Sequence, residues 1–546
     1  MKRERVDFAV VGSGAAGGIV AKELATGGFS VAVLEQGPRV EPATWQHDEL
    51  RGALGLGLAI DAEQQPQTFR RTEAEVATRL TSGGLRYHRL VGGGSMMFSA
   101  NYWRFRELDF REASLLGPIA GTGLADWPLT YADLEPYYTK AEWELGVSGA
   151  PGPFDPPRSR PYPMPPLPVK SSGVLFEHGA RQLGLHPQPV PLAILSQPLN
   201  GRPPCQHCGF CYGQLCEHRA KSGTAYTVLP IAEATGRCEV RPDSYVHRVE
   251  TDASGRATGV VYFDADKLEH FQPARAVVLC CNGAETPRLL LMSASPRFPD
   301  GLANSSGLVG RYLVFNGGSL RVNGLFERPL NEYKSVVATR MALDFYASDP
   351  ARGFYGGGGL DSRGPWAPLA FAQGELPAGA PRWGREYKKL LGEYFTHSMS
   401  VSAHTTTLPL HTNSISLDSE LKDAWGLPAP RVTYQNHPDD LATFRFFRAK
   451  AREILEAAGA TRIWGDESDV RPQTGGSALL GTCRMGRDPA TSVVDPWHRA
   501  HDVPNLFMCD GSSLVTGGRG QPTATIQALA YRAGEAIARF ARRGEI

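Results

Sequence analysis

The sequence predicts an α/β protein in which a Rossmann-like dinucleotide-binding domain is joined to a second, β-rich domain. Two observations support this prediction. The first 35 residues follow the order strand, glycine loop, helix, strand and acidic residue. A later segment, between about Phe315 and Val470, contains runs such as "SISLD" that alternate as strands do. With 546 residues, the chain is long enough for two or more domains.

The elements can be justified in chain order. The apolar run Val6–Val11 predicts a buried parallel strand, Ala15–Leu24 has the composition of a helix, and Val31–Leu34 predicts the second strand. Within the β-rich segment, the run "YFTHSMSVSAHTTTLPL" (394–410) is predicted to be extended. Pro522–Arg543 predicts a long amphipathic helix with arginines in its final turns.

A glycine motif separates the first strand from the helix. Gly12, Gly14 and Gly17 follow the spacing G-x-G-x-x-G, in which the first glycine allows a tight turn, the second lets a pyrophosphate approach, and the third brings helix against strand. Ala15 follows the second glycine at the helix N-terminus, which faces the phosphates. Glu35 ends the second strand, where a carboxylate can accept hydrogen bonds from ribose hydroxyls. The motif predicts a dinucleotide without distinguishing FAD from NAD.

Composition restricts the choice of partners. Lys and Arg number 57 and Asp and Glu 56, so the formal charge is +1 and gives no reason to expect nucleic acid or an anionic membrane. No run approaches the roughly 18 apolar residues of a membrane span, and the start lacks the features of a signal peptide. We therefore expect a cytoplasmic protein that acts on small molecules, although export with a signal-bearing partner subunit would leave no trace in this chain.

Four of the nine cysteines lie in the short run "CQHCGFCYGQLC". Cys205, Cys208, Cys211 and Cys216 have the spacing C-x2-C-x2-C-x4-C, which lets successive thiolates converge on one centre. Short loops and a cytoplasmic location argue against disulfides. Four thiolates can hold either a tetrahedral zinc ion or an iron–sulfur cluster.

Longer motifs point to a family. They are "RLVGGGSMMFSANYWRF" (Arg89–Phe105), "CNGAETPRLLLMSA" (Cys281–Ala294), "GTCRMG" (Gly481–Gly486) and "NLFMCDGSSLVTGGRGQPTATIQALA" (Asn505–Ala530). On these motifs the sequence resembles, over nearly its whole length, the glucose-methanol-choline (GMC) family of FAD-dependent oxidoreductases. The stretches "DWPLTYADLEPYYTKAEWELGV" and "RPYPMPPLP" look like the catalytic subunit of the bacterial FAD-dependent glucose and polyol dehydrogenases.

The resemblance implies the GMC fold. It implies a Rossmann-like FAD-binding domain of residues 1–315 and 471–546, with a cysteine-rich insertion at 205–216, and a β-rich substrate-binding domain of residues 316–470. Met97 occupies the position of the family's occasional flavin-linking histidine, so we expect noncovalent FAD. The residues expected to lie against FAD are Val91, Gly92, Gly93, Gly94 and Ser95, with Asp510, Gly511, Pro522 and Thr523 from the far end of the chain.

The resemblance also favours iron–sulfur over zinc, because the glucose dehydrogenase type carries such a cluster on four cysteines in this insertion. A reduced flavin must lose its electrons again, and a one-electron carrier gives them a route other than oxygen. We therefore expect Cys205, Cys208, Cys211 and Cys216 to hold a 3Fe-4S or 4Fe-4S cluster. A cytochrome, quinone or ferredoxin would accept the electrons, and the resemblance allows for a small accessory subunit.

Two positions depart from the family pattern in the active site. The family's catalytic histidine, three residues before the glycine of "GTC", is Ala478 here, and the His or Asn before the proline of its "NPT" segment is Gln521. Alanine cannot take a proton, and glutamine forms hydrogen bonds without acting as a general base near pH 7. The departures put simple alcohol oxidation in doubt more than they affect flavin binding.

Substitutes for the missing base can be named. His404 lies on the segment that the family uses as the substrate-side wall, although an ordinary structural histidine is an alternative. Arg519 can anchor a carboxylate or stabilise an oxyanion beside Gln521, or instead pair with a cofactor phosphate or an acidic side chain. Tyr102 and His397 are further candidates on local sequence alone.

Three functions are compatible with these features. The first is a flavin and iron–sulfur dehydrogenase, rather than an oxidase, acting on a sugar, glycoside or other hydroxylated small molecule. The second is a GMC scaffold with non-standard redox chemistry, such as desaturation, reduction or a radical reaction, because of Ala478 and Gln521. The third is a non-catalytic subunit that relays electrons or stabilises a partner. The first is preferred.

Overall fold

The computed structural model describes residues 4–41, 44, 48–50, 58–365 and 367–546. The fold is α/β, as predicted, and combines a mostly parallel sheet with a separate antiparallel sheet. The strands are β1 (Val6–Val11), β2 (Val31–Leu34), β3 (Thr68–Arg70), β4 (Thr78–Arg79), β5 (Gln188–Pro189), β6 (Cys238–Arg241), β7 (Tyr245–Thr251), β8 (Ala257–Phe263), β9 (Glu269–Leu279), β10 (Val314–Phe315), β11 (Gly317–Leu325), β12 (Arg340–Ala342), β13 (Gly358–Arg363), β14 (Ser398–Thr405), β15 (Ser414–Lys422), β16 (Pro428–Thr433), β17 (Arg462–Trp464), β18 (Leu479–Leu480) and β19 (Leu506–Met508).

Helices surround these sheets. They are α1 (Gly17–Thr26), α2 (Gly94–Met97), α3 (Glu107–Phe110), α4 (Glu112–Leu116), α5 (Tyr131–Leu145), α6 (Ser171–Gln182), α7 (Val228–Ala234), α8 (Glu285–Met292), α9 (Pro368–Gly374), α10 (Gly384–His397), α11 (Pro438–Ala457) and α12 (Thr523–Arg542). Short 3-10 turns cover Thr224–Tyr226, Pro350–Arg352 and Gly511–Ser513. No helix in the described ranges is long and apolar enough to cross a bilayer.

The parallel sheet has the order β6-β2-β1-β9, with β19 also paired to β9. Phe8, Ala9 and Val10 of β1 are fully buried, which explains why a continuous apolar run rather than an alternating one forms this strand. The chain passes from β1 to β2 on one side, whereas β9 lies on the other side. Ligands bind at such a switch point, outside the carboxyl ends of the strands.

The antiparallel sheet has the order β17-β11-β14-β13-β12-β5. Gly359 of β13 lies opposite His404 of β14. Because side chains alternate along strands, Met399, Val401 and Ala403 point to one face, where they belong to an apolar cluster with residues of α11. His404 points to the opposite face.

The β-rich segment differs in detail from its prediction. Residues 394–397 belong to the end of α10, and β14 begins only at Ser398. The buried Tyr394 packs with Trp464, a tertiary contact that local sequence does not reveal. The antiparallel sheet includes β5 from outside residues 316–470, whereas β15 and β16 pair with β3 and β4 in another sheet. The division into two domains at these boundaries stays a prediction.

Candidate active site

A cavity of about 710 Å³ lies where the carboxyl ends of β1 and β9 meet the antiparallel sheet. Its wall includes Gly12 after β1, Cys280 after β9 and His404 of β14. The predicted site residues that line it are Gly12, Gly14, Ala15, Glu35, Gly93, Gly94, Ser95, His404, Asp510, Gly511, Gln521, Pro522 and Thr523. Gly17, Val91, Gly92, Arg519 and the four cysteines of the short run lie outside this lining.

The three glycines of the first loop have different surroundings. A Cβ on Gly12, whose φ is +92°, would lie 2.6 Å from the Cys280 carbonyl oxygen, and a Cβ on Gly17 would lie 1.9 Å from the Gly12 carbonyl oxygen. A Cβ on Gly14 would meet only the Cα of Gly93, at 3.9 Å. Gly12 and Gly17 are therefore needed for packing, whereas Gly14 leaves open space on the cavity side.

Glu35 is a buried acceptor at this end of the cavity. One carboxylate oxygen accepts from the backbone N–H and hydroxyl of Ser13, at 3.0 and 2.7 Å, and the other accepts from the Gly37 N–H at 3.2 Å. Burial raises the pKa of Glu35, while the Ser13 and Gly37 hydrogen bonds oppose the rise. Further donors, such as hydroxyls, would favour the ionised form.

A second glycine loop, residues 92–94, lies directly against the first. Gly93 has φ +50°, and a Cβ there would lie 2.9 Å from the Cα of Gly14. Gly93, Gly94 and Ser95 line the cavity, whereas Val91 is held beneath the loop by its N–H, which donates to the Pro38 carbonyl at 3.0 Å. The two loops thus meet backbone to backbone at one side of the cavity.

Two helices begin at the cavity without side-chain caps. Ala16 precedes α1 and Pro522 precedes α12, and neither accepts a capping hydrogen bond. Unfilled N–H groups and the helix dipole make such ends favourable for anions. Nearby, Asp510 accepts from the Ser512 N–H at 2.7 Å and from the Thr286 hydroxyl at 2.5 Å, and its burial raises its pKa.

His404 is held between Gln521 and Asp361 at the other end of the lining. Its Nδ1 lies 2.9 Å from Nε2 of Gln521, and its Nε2 lies 3.0 Å from a carboxylate oxygen of Asp361. The tautomer that donates Nε2–H to Asp361 carries its lone pair on Nδ1, where the Gln521 amide donates. Asn101 donates to the same Asp361 oxygen at 3.1 Å.

Arg363 completes this cluster. Its Nε and Nη2 donate to the two Asp361 oxygens at 2.7 and 2.9 Å. Nη2 also lies 2.9 Å from Nε2 of His404, to which it can donate only in the tautomer that carries the imidazole proton on Nδ1. Burial alone would raise the pKa of Asp361, but Arg363 and His404 hold it well below its usual range. Asp361 is therefore ionised and balances the charge of Arg363.

Sequence reasoning missed Asp361 and Arg363. Both belong to β13, and their separation of two residues places them on the same face as His404. The available signal was two opposite charges spaced by one residue, "DSR", within a buried strand. This signal belongs to no motif, and its meaning depends on the pairing of β13 with β14.

The other candidate positions for a base differ in whether they line the cavity. Ala478 lines the cavity, so the position of the family's usual histidine is at the site but carries no imidazole. His88 also lines the cavity, but burial, with Lys221 and Arg86 nearby, lowers its pKa to about 4. Tyr102 and His397 do not line it; Tyr102 is fully buried and donates to Gln527 at 2.7 Å, and His397 ends α10.

Arg519 does not face the cavity. Its guanidinium is fully buried and donates to Asp109 at 3.0 Å, to Glu112, and to the Ser348 hydroxyl at 2.8 Å. Burial would lower its pKa, but Glu112 and Asp109 raise it, so the arginine stays charged within this cluster. The prediction that Arg519 contacts substrate is therefore corrected: the alternative of a salt bridge to acidic side chains describes its environment.

The cysteine run forms a loop on top of α2. The Gly213 N–H donates to the Met97 carbonyl at 2.9 Å, and Tyr212 and Gly213 line the cavity. The buried Lys221 ammonium donates to the carbonyls of Cys211 and Gln214, both at 2.7 Å. The loop that carries the thiols is thus attached to the cavity wall.

The four thiols are neighbours but do not form a ligand set. Cys205, Cys208 and Cys216 all contribute to the electrostatic surroundings of Cys211, and burial raises the pKa of Cys205 to about 11 and that of Cys211 to about 12. Within the described ranges, no three His, Cys, Asp or Glu side chains are placed to hold a metal ion. The donor chemistry suits a cluster, whereas the side-chain positions do not define one.

Fold and cavity together are those of a dinucleotide-binding enzyme, and comparison with known proteins identifies its family. Residues 84–314 and 409–530 match the sequence profile of GMC oxidoreductase. This chain therefore belongs to the GMC oxidoreductase family, in which FAD is the typical cofactor.

Relatives align along the whole chain. It is 35% identical to 2-methyl-1,2-propanediol dehydrogenase of Mycolicibacterium austroafricanum, over 98% of this chain and 96% of the relative. It is 29% identical to the fructose dehydrogenase large subunit of Gluconobacter japonicus, over 98% of both chains. The structure of pyridoxine 4-oxidase from Mesorbium loti is similar with a TM-score of 0.64 at 18% identity, covering 97% of this chain and 98% of that one. That likeness shows the fold, which is the GMC fold predicted from the sequence.

Proposed function

We propose that this chain is an FAD-dependent dehydrogenase that oxidises a sugar, glycoside or other hydroxylated small molecule. The observation that carries the proposal is a single cavity whose wall includes both the nucleotide loop and the His404–Gln521 pair. Two relatives named as dehydrogenases of a diol and of a sugar, at 35% and 29% identity, support the substrate class.

The residues of the cavity fit FAD. Gly14 leaves open space beside the uncapped start of α1, where a pyrophosphate would find backbone N–H groups. Glu35 lines the cavity and would accept from ribose hydroxyls, and the uncapped start of α12 is a second favourable position for negative charge. Met97 cannot form the histidyl link, so FAD would be held noncovalently. When bound, FAD supplies the acceptor for a hydride.

His404 is the proposed proton acceptor. An imidazole is well matched to taking a hydroxyl proton near neutral pH. Asp361 fixes the ring through Nε2 and leaves Nδ1 towards Gln521. Nδ1 can receive the proton of a substrate hydroxyl only after its hydrogen bond with the Gln521 amide is broken. The amide can then donate to the substrate oxygen instead. Gln521 would therefore orient the hydroxyl and His404 would take its proton.

The cysteine loop is the proposed exit for electrons. Four thiols in the spacing C-x2-C-x2-C-x4-C and two buried cations beside them, Lys221 and Arg202, would suit an anionic iron–sulfur cluster. The contact from Gly213 to Met97 attaches the loop to the cavity wall. A cytochrome, quinone or ferredoxin would then accept electrons from the cluster. The relative named as a large subunit supports an accessory subunit as a partner.

An anaerobic absorbance titration tests the proposal. Freshly purified protein is analysed for FAD and iron and titrated with sugars, glycosides, diols and their acids, while flavin and cluster bands are recorded together. The proposal expects bleaching of the flavin by at least one hydroxylated compound and slow reoxidation by air compared with an artificial one-electron acceptor. Fast reoxidation by oxygen would instead identify an oxidase.

A second candidate function is favoured by one observation. Ala478 lies in the cavity wall where the family carries its histidine, so the usual alcohol chemistry has lost its usual base. A GMC scaffold with desaturating, reducing or radical chemistry would need no imidazole there. No bleaching by any hydroxylated compound, with the flavin still reducible by dithionite, would favour this candidate. A chain that binds neither FAD nor iron would point to a non-catalytic subunit.

A further inference from the structure

The substrate end of the cavity contains a polar group that the proposed chemistry does not use. Arg363 lines the cavity, and its side chain is 5% exposed. Two of its nitrogens, Nε and Nη2, are bound to Asp361, as described above. In the described part of the chain, Nη1 donates to no residue. Nor does it belong to the fully buried side-chain nitrogens and oxygens that lack a hydrogen-bond partner. Because Arg363 lines the cavity and its other two nitrogens are bound to Asp361, Nη1 is the nitrogen that can present two N–H donors to a ligand there.

The orientation of Arg363 is imposed by its partner. The two-pronged contact with Asp361 fixes the plane of the guanidinium, and Asp361 is itself held by Asn101 and His404. Because its rotamer is fixed before any ligand arrives, a hydrogen bond from Nη1 needs little additional ordering. The same contact places Nη1 on the side of the guanidinium away from Asp361.

The charge of this region limits what Nη1 can recognise. Asp361 is ionised and lies within 3 Å of Arg363, so the two side chains together are neutral. Gln521 and Ala478 in the same lining carry no charge. Arg86 is the other arginine of the lining, and it is exposed to solvent, where water screens its charge. A carboxylate would therefore find no uncompensated buried cation here, whereas hydroxyl or ring oxygens would find two donors.

Tyr212 supplies a second polar group from the cysteine loop. It lines the cavity and is 39% exposed, so it lies at the cavity mouth. Burial would lower the pKa of Arg363, while Asp361 and, more weakly, Tyr212 and Glu375 raise it. Hydrogen bonds hold the residues on both sides of Tyr212. Lys221 donates to the Cys211 carbonyl, and the Gly213 N–H donates to the Met97 carbonyl.

We infer that Arg363 and Tyr212 form the specificity site for the substrate, and that they select a neutral polyol, such as a vicinal diol or a sugar, over a hydroxy acid. This inference rests on the proposed oxidation of hydroxylated molecules and adds the substrate class. It also gives the cysteine loop a second role, because the segment that carries the thiols forms part of the substrate wall.

Matched substrates test the selection. 1,2-Propanediol and lactate differ only in a hydroxymethyl group against a carboxylate, and the holoprotein is assayed with both for kcat and KM. We expect a kcat/KM for the diol at least about tenfold above that for lactate. Tyr212→Phe should raise KM for the diol about tenfold at nearly constant kcat, which corresponds to one lost hydrogen bond. Arg340→Lys, on the neighbouring strand and paired with Glu177, is the matched control and should change neither constant.

Asp361→Asn gives a signature that a merely structural role would not produce. The substitution keeps the shape but removes the counter-charge, so the ratio of kcat/KM for lactate to that for the diol should rise at least about tenfold, even if both rates fall. An unchanged ratio, or a wild-type preference for lactate, would overturn the inference.

If the wild-type protein oxidises neither compound, the inference is tested by calorimetric binding of the same pair, and the proposed function is decided separately by the panel of sugars, glycosides and diols. Tighter binding of the diol by wild type, with a shift towards lactate in Asp361→Asn, would uphold the specificity site. Equal binding, or preferred binding of lactate, would reject it.

Discussion

Nδ1 of His404 lies 2.9 Å from the side-chain amide of Gln521. The pair joins the two halves of the active site, because His404 belongs to the antiparallel sheet and Gln521 immediately precedes the uncapped start of α12. The contact brings an imidazole to a cavity wall in which Ala478 carries none.

His404→Asn should slow substrate-dependent flavin reduction by about 10²-fold or more, the usual size of a general-base contribution. Asparagine can keep a hydrogen bond to Gln521 but cannot take a proton, so KM should change much less than kcat. Stopped-flow absorbance under anaerobic conditions measures the step directly.

His397→Asn is the matched control for this experiment. His397 ends α10 outside the cavity lining, so its replacement should leave the rate of flavin reduction as in the wild type. A His404 variant with the wild-type rate would remove His404 from the chemistry and leave Gln521 without a proton acceptor.

Gly14→Ala should weaken FAD binding by at least about tenfold, or ~1.4 kcal/mol. The protein itself has room for the added Cβ, whose nearest neighbour would be Gly93 Cα at 3.9 Å, so loss of FAD would locate the pyrophosphate beside this residue. Flavin content after dialysis gives the result, and the melting temperature of the apoprotein should not change. Gly392→Ala, on α10 with nothing within 4 Å, is the control and should retain FAD fully.

The glycine loop and Glu35 could be predicted from the sequence because the contacts that require these residues are made within a short stretch of chain. Gly12 is needed for a positive φ of +92°, Gly17 for contact with the Gly12 carbonyl, and Glu35 for an acceptor at the end of β2. Each requirement follows from backbone geometry within one β-α-β unit. The structure places these residues as the spacing indicated.

The substrate end could not be predicted in the same way. Asp361 and Arg363 reach His404 only through the register of β13 on β14, which no short pattern encodes. The partner of Arg519 is still more distant, since Asp109 lies 410 residues earlier in the chain. Local sequence showed an arginine two residues before Gln521, but not which way its side chain points.

Cys205→Ser should remove the iron and the cluster absorbance while FAD stays bound. The cysteine loop contacts the cavity wall at Met97 but contributes only Tyr212 and Gly213 to the lining, so its loss of metal should not empty the cofactor site. Cys238→Ser, on β6 of the parallel sheet, is the control and should keep its iron. Stoichiometric iron in the Cys205 variant would disprove its assignment as a ligand.

Arg519→Met should reduce the free energy of unfolding by about 3–5 kcal/mol, because removal of the cation leaves Asp109 and Glu112 buried without their counter-charge. Flavin spectrum and KM should be unchanged in the folded protein. Arg445→Met breaks an exposed pair with Asp469 and should cost at most about 1 kcal/mol. A stable Arg519 variant with a raised KM would return this arginine to the substrate site.

The contribution of His498 to stability should fall between about pH 6.5 and pH 4, whereas the buried carboxyls of Asp440 and Glu112, whose pKa values burial raises to about 7, act in the opposite direction. This fully buried imidazole lies 2.9 Å from the Met508 carbonyl through Nδ1, and burial lowers its pKa from 6.5 to about 4. In this window the His498 imidazole is protonated in the unfolded chain but not in the folded chain. This difference favours unfolding as pH falls, by up to ~3 kcal/mol.

His498→Asn should remove this contribution. Asparagine tolerates the positive φ of +66° at this position and carries no titrating group. The free energy of unfolding, measured by denaturant at intervals across the window, should decline less or rise more on acidification than in the wild type, while the contribution of His88, whose pKa is also about 4, is retained. His178→Asn on the exposed side of α6 should leave the slope unchanged. An unaltered slope in His498→Asn would mean that the imidazole gains a proton without unfolding.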